Sequence, residues 1–280
     1  MKKTIIMAAL LLLTLTAAAQ KTKTITILHT NDTHSCILPL NPNLADTALA
    51  GRGGYLRRIE MIRQERQRDP DLLVLDSGDF SQGSPFYSLF KGDVEIGLMN
   101  RMGVNATTIG NHEFDFGLAN MARLFGMAQF PVLCANYRVT DTPLEGVVKP
   151  YTVFHVKGVK VGVFGLDPKL DGLVDAKNYG QVTYLDPVAT ANEMATTLRH
   201  KEHCDVVICL SHLGWTNNGV GDQEVISRSR GIDLVLGGHS HTYFQTLRYV
   251  KDLDGREVPV DQNGKHGIYV GKIDLQVKRR

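Results

Sequence analysis

Cysteine is scarce in this chain, and the spacing of the few cysteines excludes two common kinds of site. Four cysteines occur among 280 residues, too few for a small fold held together by disulfides. No two of them have the Cys-x-x-Cys spacing of a structural zinc or redox site. We interpret them as buried thiols, with a disulfide between two of them as the alternative in an exported protein.

Excess charge and several catalytic signatures are also missing. The chain has 31 basic and 29 acidic residues, a net charge of +2, which argues against a nucleic-acid-binding protein with a strong basic face. No Gly-x-Ser-x-Gly motif supports a serine hydrolase. The glycine-rich stretch at 51–54 lacks the Lys-Ser/Thr of a phosphate-binding loop. With 43% hydrophobic and 21% charged residues, the composition is that of a folded globular protein.

Long apolar runs are confined to the N-terminus. Lys2 and Lys3 precede an apolar run at 5–15, and three alanines follow at 17–19. This layout predicts a secretory signal peptide over residues 1–19, with an uncleaved amphipathic N-terminus as the alternative. The run is shorter than the ~20 residues of a membrane helix. We therefore expect an exported protein, periplasmic or extracellular, which is soluble after cleavage and has no membrane span.

Short apolar runs alternate with segments of helical periodicity along residues 20–280. The predicted strands are 24–28, 72–76, 106–109, 131–134, 153–156, 159–166, 205–210 and 232–236. The predicted helices are 53–66, one capped by Asp93 and ended by Gly103, 118–125, and 187–201. Turn dipeptides at 254–255 and 263–264 predict antiparallel strands in the tail. The alternation predicts one α/β domain, a sandwich with mixed sheets.

Polar side chains gather in the loops that follow five of these strands. The loops are HTNDTH (29–34), DSGDF (76–80), GNHEFD (110–115), SHLG (211–214) and GGHSH (237–241). Ligands of open α/β folds bind beyond the carboxyl ends of the strands, so these loops are expected to converge. The five histidines outside this group or at its edge are interpreted as structural: His29, His155, His200, His203 and His266.

The residue types in these loops favour two divalent metal ions. Asp32 with His34, and His239 with His241, form i, i+2 pairs of carboxylate and imidazole ligands, which suit Zn, Mn, Fe or Co. The loops offer more ligands than one ion can use, whereas two ions ~3.5–4 Å apart would use them all. Asp79 is the natural shared carboxylate. Such a pair of ions hydrolyses phosphate esters.

These motifs, in this order and spacing, resemble the calcineurin-like metallophosphoesterases, specifically the catalytic N-terminal domain of the bacterial 5′-nucleotidase / UDP-sugar hydrolase family. The similarity runs from about Thr24 to the end of the chain. It implies a four-layer αββα sandwich with a dinuclear site at one edge. The ligands implied by the resemblance are Asp32, His34, Asp79 and His241 for the first ion, and Asp79, Asn111, His212 and His239 for the second.

The same resemblance implies roles for three residues of one loop. His112 would contact the phosphoryl or leaving-group oxygen, Asp115 would orient its ring, and Asn111 would both ligate metal and donate to phosphate. The expected reaction is in-line attack by a metal-bridging hydroxide on a small phosphomonoester, above all a nucleoside 5′-monophosphate. The alternatives are a phosphodiesterase or 2′,3′-cyclic nucleotide hydrolase acting at the same site, and a non-catalytic subunit that retains its metals.

The resemblance also implies a difference in domain organisation. In full-length relatives a C-terminal domain supplies aromatic side chains for the base and arginines for the phosphate, whereas this sequence ends at VGKIDLQVKRR, at the expected last strand of the catalytic domain. We therefore expect residues 20–280 to form the catalytic domain without the C-terminal nucleotide-binding domain. Either a separate exported chain supplies those functions, or the domain acts alone with loose specificity.

Overall fold

The strands and helices alternate along the chain as the sequence predicts. The structure is a computed structural model that describes residues 22–216 and 220–278, so the predicted signal peptide at 1–19 lies outside the described residues. The strands are β1 (Thr22–Thr30), β2 (Leu73–Asp76), β3 (Ala106–Thr108), β4 (Val132–Leu133), β5 (Tyr137–Arg138), β6 (Val148–Lys149), β7 (Tyr151–Val156), β8 (Val159–Leu166), β9 (Thr183–Tyr184), β10 (Val206–Ser211), β11 (Leu234–Gly237), β12 (Arg248–Lys251), β13 (Glu257–Asp261) and β14 (Gly271–Lys278).

Seven α-helices lie between these strands in the described residues. They are α1 (Tyr55–Arg68), α2 (Pro85–Phe90), α3 (Asp93–Met102), α4 (Gly117–Met127), α5 (Ala176–Tyr179), α6 (Pro187–Thr196) and α7 (Asp222–Ser227). A 3-10 turn covers His112–Phe114, and a π-helical segment, Thr197–Lys201, continues α6. No helix among the described residues has the length and apolar character needed to cross a bilayer.

Two six-stranded sheets form the centre of the molecule. The first has the order β14-β1-β2-β3-β4-β6, with every neighbouring pair parallel except β14 and β1. The second has the order β12-β13-β11-β10-β8-β7, parallel in the middle and antiparallel at both edges. β5 and β9 form a separate two-stranded ribbon. Each large sheet is therefore mixed, and its parallel strands end at the same edge.

Three apolar layers hold the sheets and helices together. Ile25 and Ile27 of β1 belong to the same buried layer between the sheets as Ile208 of β10, whereas Leu28 belongs to the layer under α1, α3 and α4. The opposite face of the second sheet packs against α6 and α7. Alternation along a strand sends successive side chains to opposite faces, so both faces of each sheet are covered. The resulting α/β fold is a four-layer αββα sandwich with mixed sheets, which confirms the predicted fold class.

One predicted helix cap and one predicted hairpin turn were wrong. Gly92, with a positive φ of 104°, is the residue before α3, and Asp93 is the first helical residue without a side-chain cap. The turn at 254–255 does join β12 to β13, but 263–264 closes no hairpin. After this second dipeptide the chain crosses to the other sheet, where β14 pairs with β1. Turn residues mark a change of direction, not which strand the chain pairs with next.

All four cysteines are free thiols, as the low cysteine count favoured. Cys134, Cys204 and Cys209 are buried, and Cys36 is partly exposed. Burial raises the pKa of the Cys209 thiol well above its usual value. A thiol held neutral in an apolar layer is poorly reactive, so the three buried cysteines act as small core residues.

Truncating a side chain between the two sheets should destabilise the whole fold. Ile208 is fully buried in the layer between the sheets. We expect Ile208→Ala to lower the free energy of unfolding by about 2–5 kcal/mol, because lost burial and a residual cavity both contribute. Urea unfolding measures the difference. Leu56→Ala on the exposed face of α1 is the control and should change it by less than about 0.5 kcal/mol; a similar loss in both variants would contradict the assigned core.

Candidate metal centre

The five polar loops meet at the edge where the parallel strands of both sheets end. β1, β2 and β3 of the first sheet lead into the loops at 29–34, 76–80 and 110–115. β10 and β11 of the second sheet lead into the other two. All seven predicted metal ligands, together with His112 and Asp115, lie in this cluster. The seven are Asp32, His34, Asp79, Asn111, His212, His239 and His241.

One half of the cluster is centred on Asp32. Its Oδ1 lies 3.5 Å from Nε2 of His241 and 3.9 Å from Nε2 of His34. The two Nε2 atoms lie 2.9 Å apart, close enough for both rings to point at one proton or cation. The three side chains form one of the groups whose ligand atoms all lie within 4.8 Å of one another.

The other half is centred on Asp79. Its Oδ2 lies 3.2 Å from Nε2 of His212 and 3.8 Å from Nε2 of His34. Asp79, His212 and His239 form a second group with ligand atoms within 4.8 Å. Nδ1 of His239 lies 2.9 Å from Oδ1 of Asn111. Asp79 therefore contacts residues of both halves.

Five of these side chains are carried on a strained backbone. Asp32, His34, Asp79, His239 and His241 all have a positive φ, between 43° and 68°. A non-glycine residue in this region costs of order 1 kcal/mol or more, and such strain collects at functional sites. Asp32 and His34 belong to one ligand group, whereas His239 and His241 belong to different groups, so the second pair of left-handed turns supplies one histidine to each half of the cluster.

Burial and neighbouring charges shift the pKa values of the site's histidines in different directions: those of His34 and His239 are lowered, whereas that of His212 is raised well above its usual value. Burial lowers the pKa of His34 and of His239 to about 4, so both rings are uncharged near pH 7. Burial raises the pKa of Asp32 to about 7. For Asp79 burial opposes ionisation as well, but His212, His34 and His112 together outweigh burial and hold its pKa below the usual value.

The donor set fits divalent cations. Among the described residues, Nδ1 of His34 and Nε2 of His212 are buried without a hydrogen-bond partner. An unpartnered buried polar atom is costly, and a metal ion would satisfy the Nε2 atom that faces Asp79. Neutral imidazole and carboxylate are the ligands that Zn, Mn, Fe and Co share.

His112 is held by a carboxylate at the rim of the cluster. Its Nδ1 lies 3.3 Å from both oxygens of Asp115, and its backbone N–H donates to Oδ1 of Asp79 at 2.9 Å. Burial lowers the pKa of the ring, but Asp115 and Asp79 outweigh burial and raise it above the usual value. The ring is about one-third exposed, with its centroid 5.5 Å from that of His34. Its ligand atom also lies within 4.8 Å of those of His34 and Asp79.

Residues 25–243 match the protein family described as calcineurin-like phosphoesterase. This chain belongs to the calcineurin-like phosphoesterase family.

Relatives of this family member are named 5′-nucleotidases. The snake venom 5′-nucleotidase of Gloydius brevicauda is 33% identical over 274 residues, which cover 90% of this chain and 45% of that protein. The 5′-nucleotidase of Homo sapiens is 31% identical over 275 residues, 91% and 47% of the two chains. The crystal structure of the 5′-nucleotidase precursor from Thermus thermophilus superimposes with a TM-score of 0.81 at 30% identity, covering 90% of this chain and 51% of that one. The chain thus spans about half the length of these relatives.

Glu113 holds two loops of the site together, a role that the sequence did not predict. Its buried carboxylate accepts hydrogen bonds from the backbone N–H groups of Asp79, Ser81 and Gly110. It therefore ties the loop after β2 to the loop after β3. Glu113 lies inside the GNHEFD motif. Its partners are backbone N–H groups, which almost every residue has, so no residue type at a fixed spacing in the sequence indicates this role.

Two of the histidines interpreted as structural lie against the site. His266 donates its backbone N–H to the carbonyl of Asp32, and its ring centroid is 6.2 Å from that of His34. His29 is buried behind the cluster and bonds to Ser77. The remaining three, His155, His200 and His203, are exposed.

Glycine at position 110 is required by the close approach of two loops. A Cβ added to Gly110 would lie 2.0 Å from Oδ1 and 2.4 Å from the backbone nitrogen of Asp79. No side-chain rotation relieves a clash with backbone, so the two loops would have to separate.

Gly110→Ala is therefore expected to lower the free energy of unfolding by about 1–3 kcal/mol. Gly97→Ala is the matched control, because its Cβ meets nothing within 4 Å in the middle of α3. That substitution should raise stability by about 0.5–1 kcal/mol. Urea unfolding measures the change in unfolding free energy for both variants. Equal changes of the same sign would contradict the close approach of Gly110 to Asp79.

Proposed function

We propose that this chain is a dinuclear-metal phosphoesterase that hydrolyses phosphomonoesters, with nucleoside 5′-monophosphates as its substrate class. The observation that carries the proposal is the position of Asp79, whose carboxylate lies between His34 of one ligand group and His212 of the other. A carboxylate shared by two ligand groups is the arrangement that holds two ions close together. The 5′-nucleotidase names of the relatives support the choice of substrate.

Seven side chains would hold the two ions. The proposed ligands are Asp32, His34, Asp79 and His241 for one, and Asp79, Asn111, His212 and His239 for the other. When bound, two divalent ions (Zn, Mn, Fe or Co) lower the pKa of bound water and neutralise charge on phosphate oxygens. The phosphate attraction of an almost uncharged chain would then come from its ions rather than from a basic surface.

His112 is proposed as the catalytic residue closest to the reacting phosphate. Because Asp115 faces Nδ1 of the ring, Nε2 is left to donate to a phosphoryl or leaving-group oxygen. Tyr87 donates its hydroxyl hydrogen to the carbonyl of His112 at 3.1 Å, which fixes the backbone of the turn. The chain therefore presents an oriented hydrogen-bond donor at the open side of the metal cluster.

Location and partners follow from the same proposal. An exported enzyme would act on nucleotides outside the cytoplasm, as the predicted signal peptide at 1–19 implies. A separate exported chain that supplies base recognition would restrict the substrates, whereas the domain alone would accept many phosphomonoesters. Rates on AMP and on p-nitrophenyl phosphate separate these possibilities, because nucleotide selectivity in the isolated chain would argue against the need for a partner.

Removing the shared carboxylate tests the function directly. We expect Asp79→Asn to reduce the bound metal from two ions to at most one and to abolish turnover, because a neutral amide cannot bridge two cations. Metal content by mass spectrometry and hydrolysis of AMP with Zn, Mn, Fe or Co added measure both effects. Asp171→Asn on the surface is the control. Turnover that survives chelation in the wild-type chain would overturn the proposed function.

His112→Asn should separate catalysis from metal binding. We expect kcat to fall on the order of 10²–10³-fold, the usual cost of losing one donor to a developing negative charge. Bound metal should stay at two ions, because the proposed ligand sets do not include His112. A loss of metal parallel to the loss of kcat would instead show that His112 is a ligand.

A further inference from the structure

A buried contact between a histidine and an aspartate joins the two sheets behind the candidate metal centre. His29 lies on β1 of the first sheet, and Asp261 ends β13 of the second. Nδ1 of His29 is 3.1 Å from Oδ2 of Asp261, and the two side chains are 0% and 8% exposed. Burial disfavours the charge on Asp261, but its contacts with His29, Asn263 and the backbone of Gln262 together outweigh burial and lower its pKa. Neither residue belongs to the predicted site.

One arm of this pair reaches His212. The Ser77 hydroxyl donates its single hydrogen to the carbonyl of Leu236 at 2.8 Å, so it accepts from Nε2 of His29 at 3.1 Å. The backbone carbonyl of the same Ser77 accepts from Nδ1 of His212 at 2.6 Å. Because Nδ1 of His212 is bound to this carbonyl, the ring is oriented so that its other nitrogen, Nε2, faces Asp79 at 3.2 Å.

The other arm reaches Asp32. The side-chain nitrogen of Asn263 lies 2.8 Å from Oδ2 of Asp261 and 2.9 Å from Nδ1 of His29, so it contacts both members of the pair. The backbone N–H of Asn263 donates to Oδ1 of Asn31 at 2.9 Å. Asn31 in turn donates to Oδ2 of Asp32 at 2.6 Å.

The two arms end on residues that belong to different ligand groups. Asp32 follows a strand of the first sheet, and His212 follows a strand of the second, with 3.9 Å between Oδ1 and Nε2. A slip between the sheets would change this distance, and with it the separation of the two metal positions. A bond between the sheets placed directly behind both residues opposes such a slip.

We propose that His29 and Asp261 are a positioning pair that sets the spacing between the two metal positions by fixing Asp32 and His212 relative to each other. The proposal rests on the dinuclear site proposed above. The pair acts through Ser77 and Asn31 and touches neither metal nor substrate. Groups that are hydrogen-bonded directly to metal ligands typically change metal affinity about 10–100-fold when they are lost. His29 and Asp261 lie one or two hydrogen bonds further back, so we expect the lower end of that range.

Three variants of the full chain test the pair. His29→Leu removes both ring nitrogens, and Asp261→Asn removes the negative charge. His29→Gln places an amide where it can still donate to Ser77, so it is the conservative variant. Asp252→Asn is the matched control: Asp252 is a buried aspartate in the turn between β12 and β13, and its Oδ1 accepts from the backbone N–H groups of Asp254 and Arg256.

Calorimetric titration with Mn²⁺ measures metal binding without relying on activity. We expect His29→Leu and Asp261→Asn to weaken binding of at least one ion about 10-fold, whereas His29→Gln recovers most of the affinity. The double variant should weaken binding by less than the product of the two single effects, because both substitutions break one interaction. Thermal unfolding of each variant reports the structural cost alongside.

The outcomes separate a positioning role from a merely structural one. If Asp261→Asn and Asp252→Asn lose similar stability but both bind Mn²⁺ like the wild type, the positioning role is overturned. If His29→Leu does not fold, the Mn²⁺ affinities of His29→Gln and Asp261→Asn, compared with that of Asp252→Asn, still test the positioning role. A wild-type chain that binds none of Zn, Mn, Fe or Co overturns the proposed function and this inference with it. If the wild type binds two ions and the variants bind Mn²⁺ with unchanged affinity, the positioning role is overturned but the proposed function is not.

Discussion

The burial of the Asp79 carboxylate is the constraint on which the rest of the site depends. Asp79 is only 2% exposed, and a charge taken out of water must be compensated by nearby groups. His212 and the His112 backbone supply part of that compensation. The glycine at 110 allows the loop after β3 to come close enough, and Glu113 holds the two loops in contact. Bound cations would supply the rest of the compensation for the buried charge of Asp79.

Much of this arrangement could be predicted from the sequence because it is carried by local patterns. Buried parallel strands appear as continuous apolar runs, such as LLVLD and DVVICL, and the loops that follow them are polar. Since parallel strands end at one edge, the order of the motifs was enough to expect Asp32, Asp79 and His239 near each other. The fold class is confirmed, and the metal ligands remain a proposal that the geometry supports.

Other features could not be read from the sequence, because they depend on contacts distant along the chain. His29 is interpreted as structural because it lies at the edge of the polar loop 29–34, and its partner Asp261 is 232 residues away. Asn263 was interpreted as part of a turn, whereas its backbone N–H and side chain connect two sheets. The short strands β5, β6 and β9 have two residues each, too few for any periodicity to emerge.

The antiparallel pairing of β14 with β1 has a consequence for how the chain acquires its fold. Thr22 pairs with Lys278, so β1 has strands on both sides only after the last described strand, β14, has been synthesised and has paired with it. Until then β1 has one open edge, although its Ile25 and Ile27 side chains already need cover from the other sheet. Contacts of such long sequence separation slow folding, and an open apolar edge invites pairing with other chains. The loop that carries Asp32 and His34 continues directly from β1, so two of the proposed metal ligands depend on a strand whose second edge is closed only by β14.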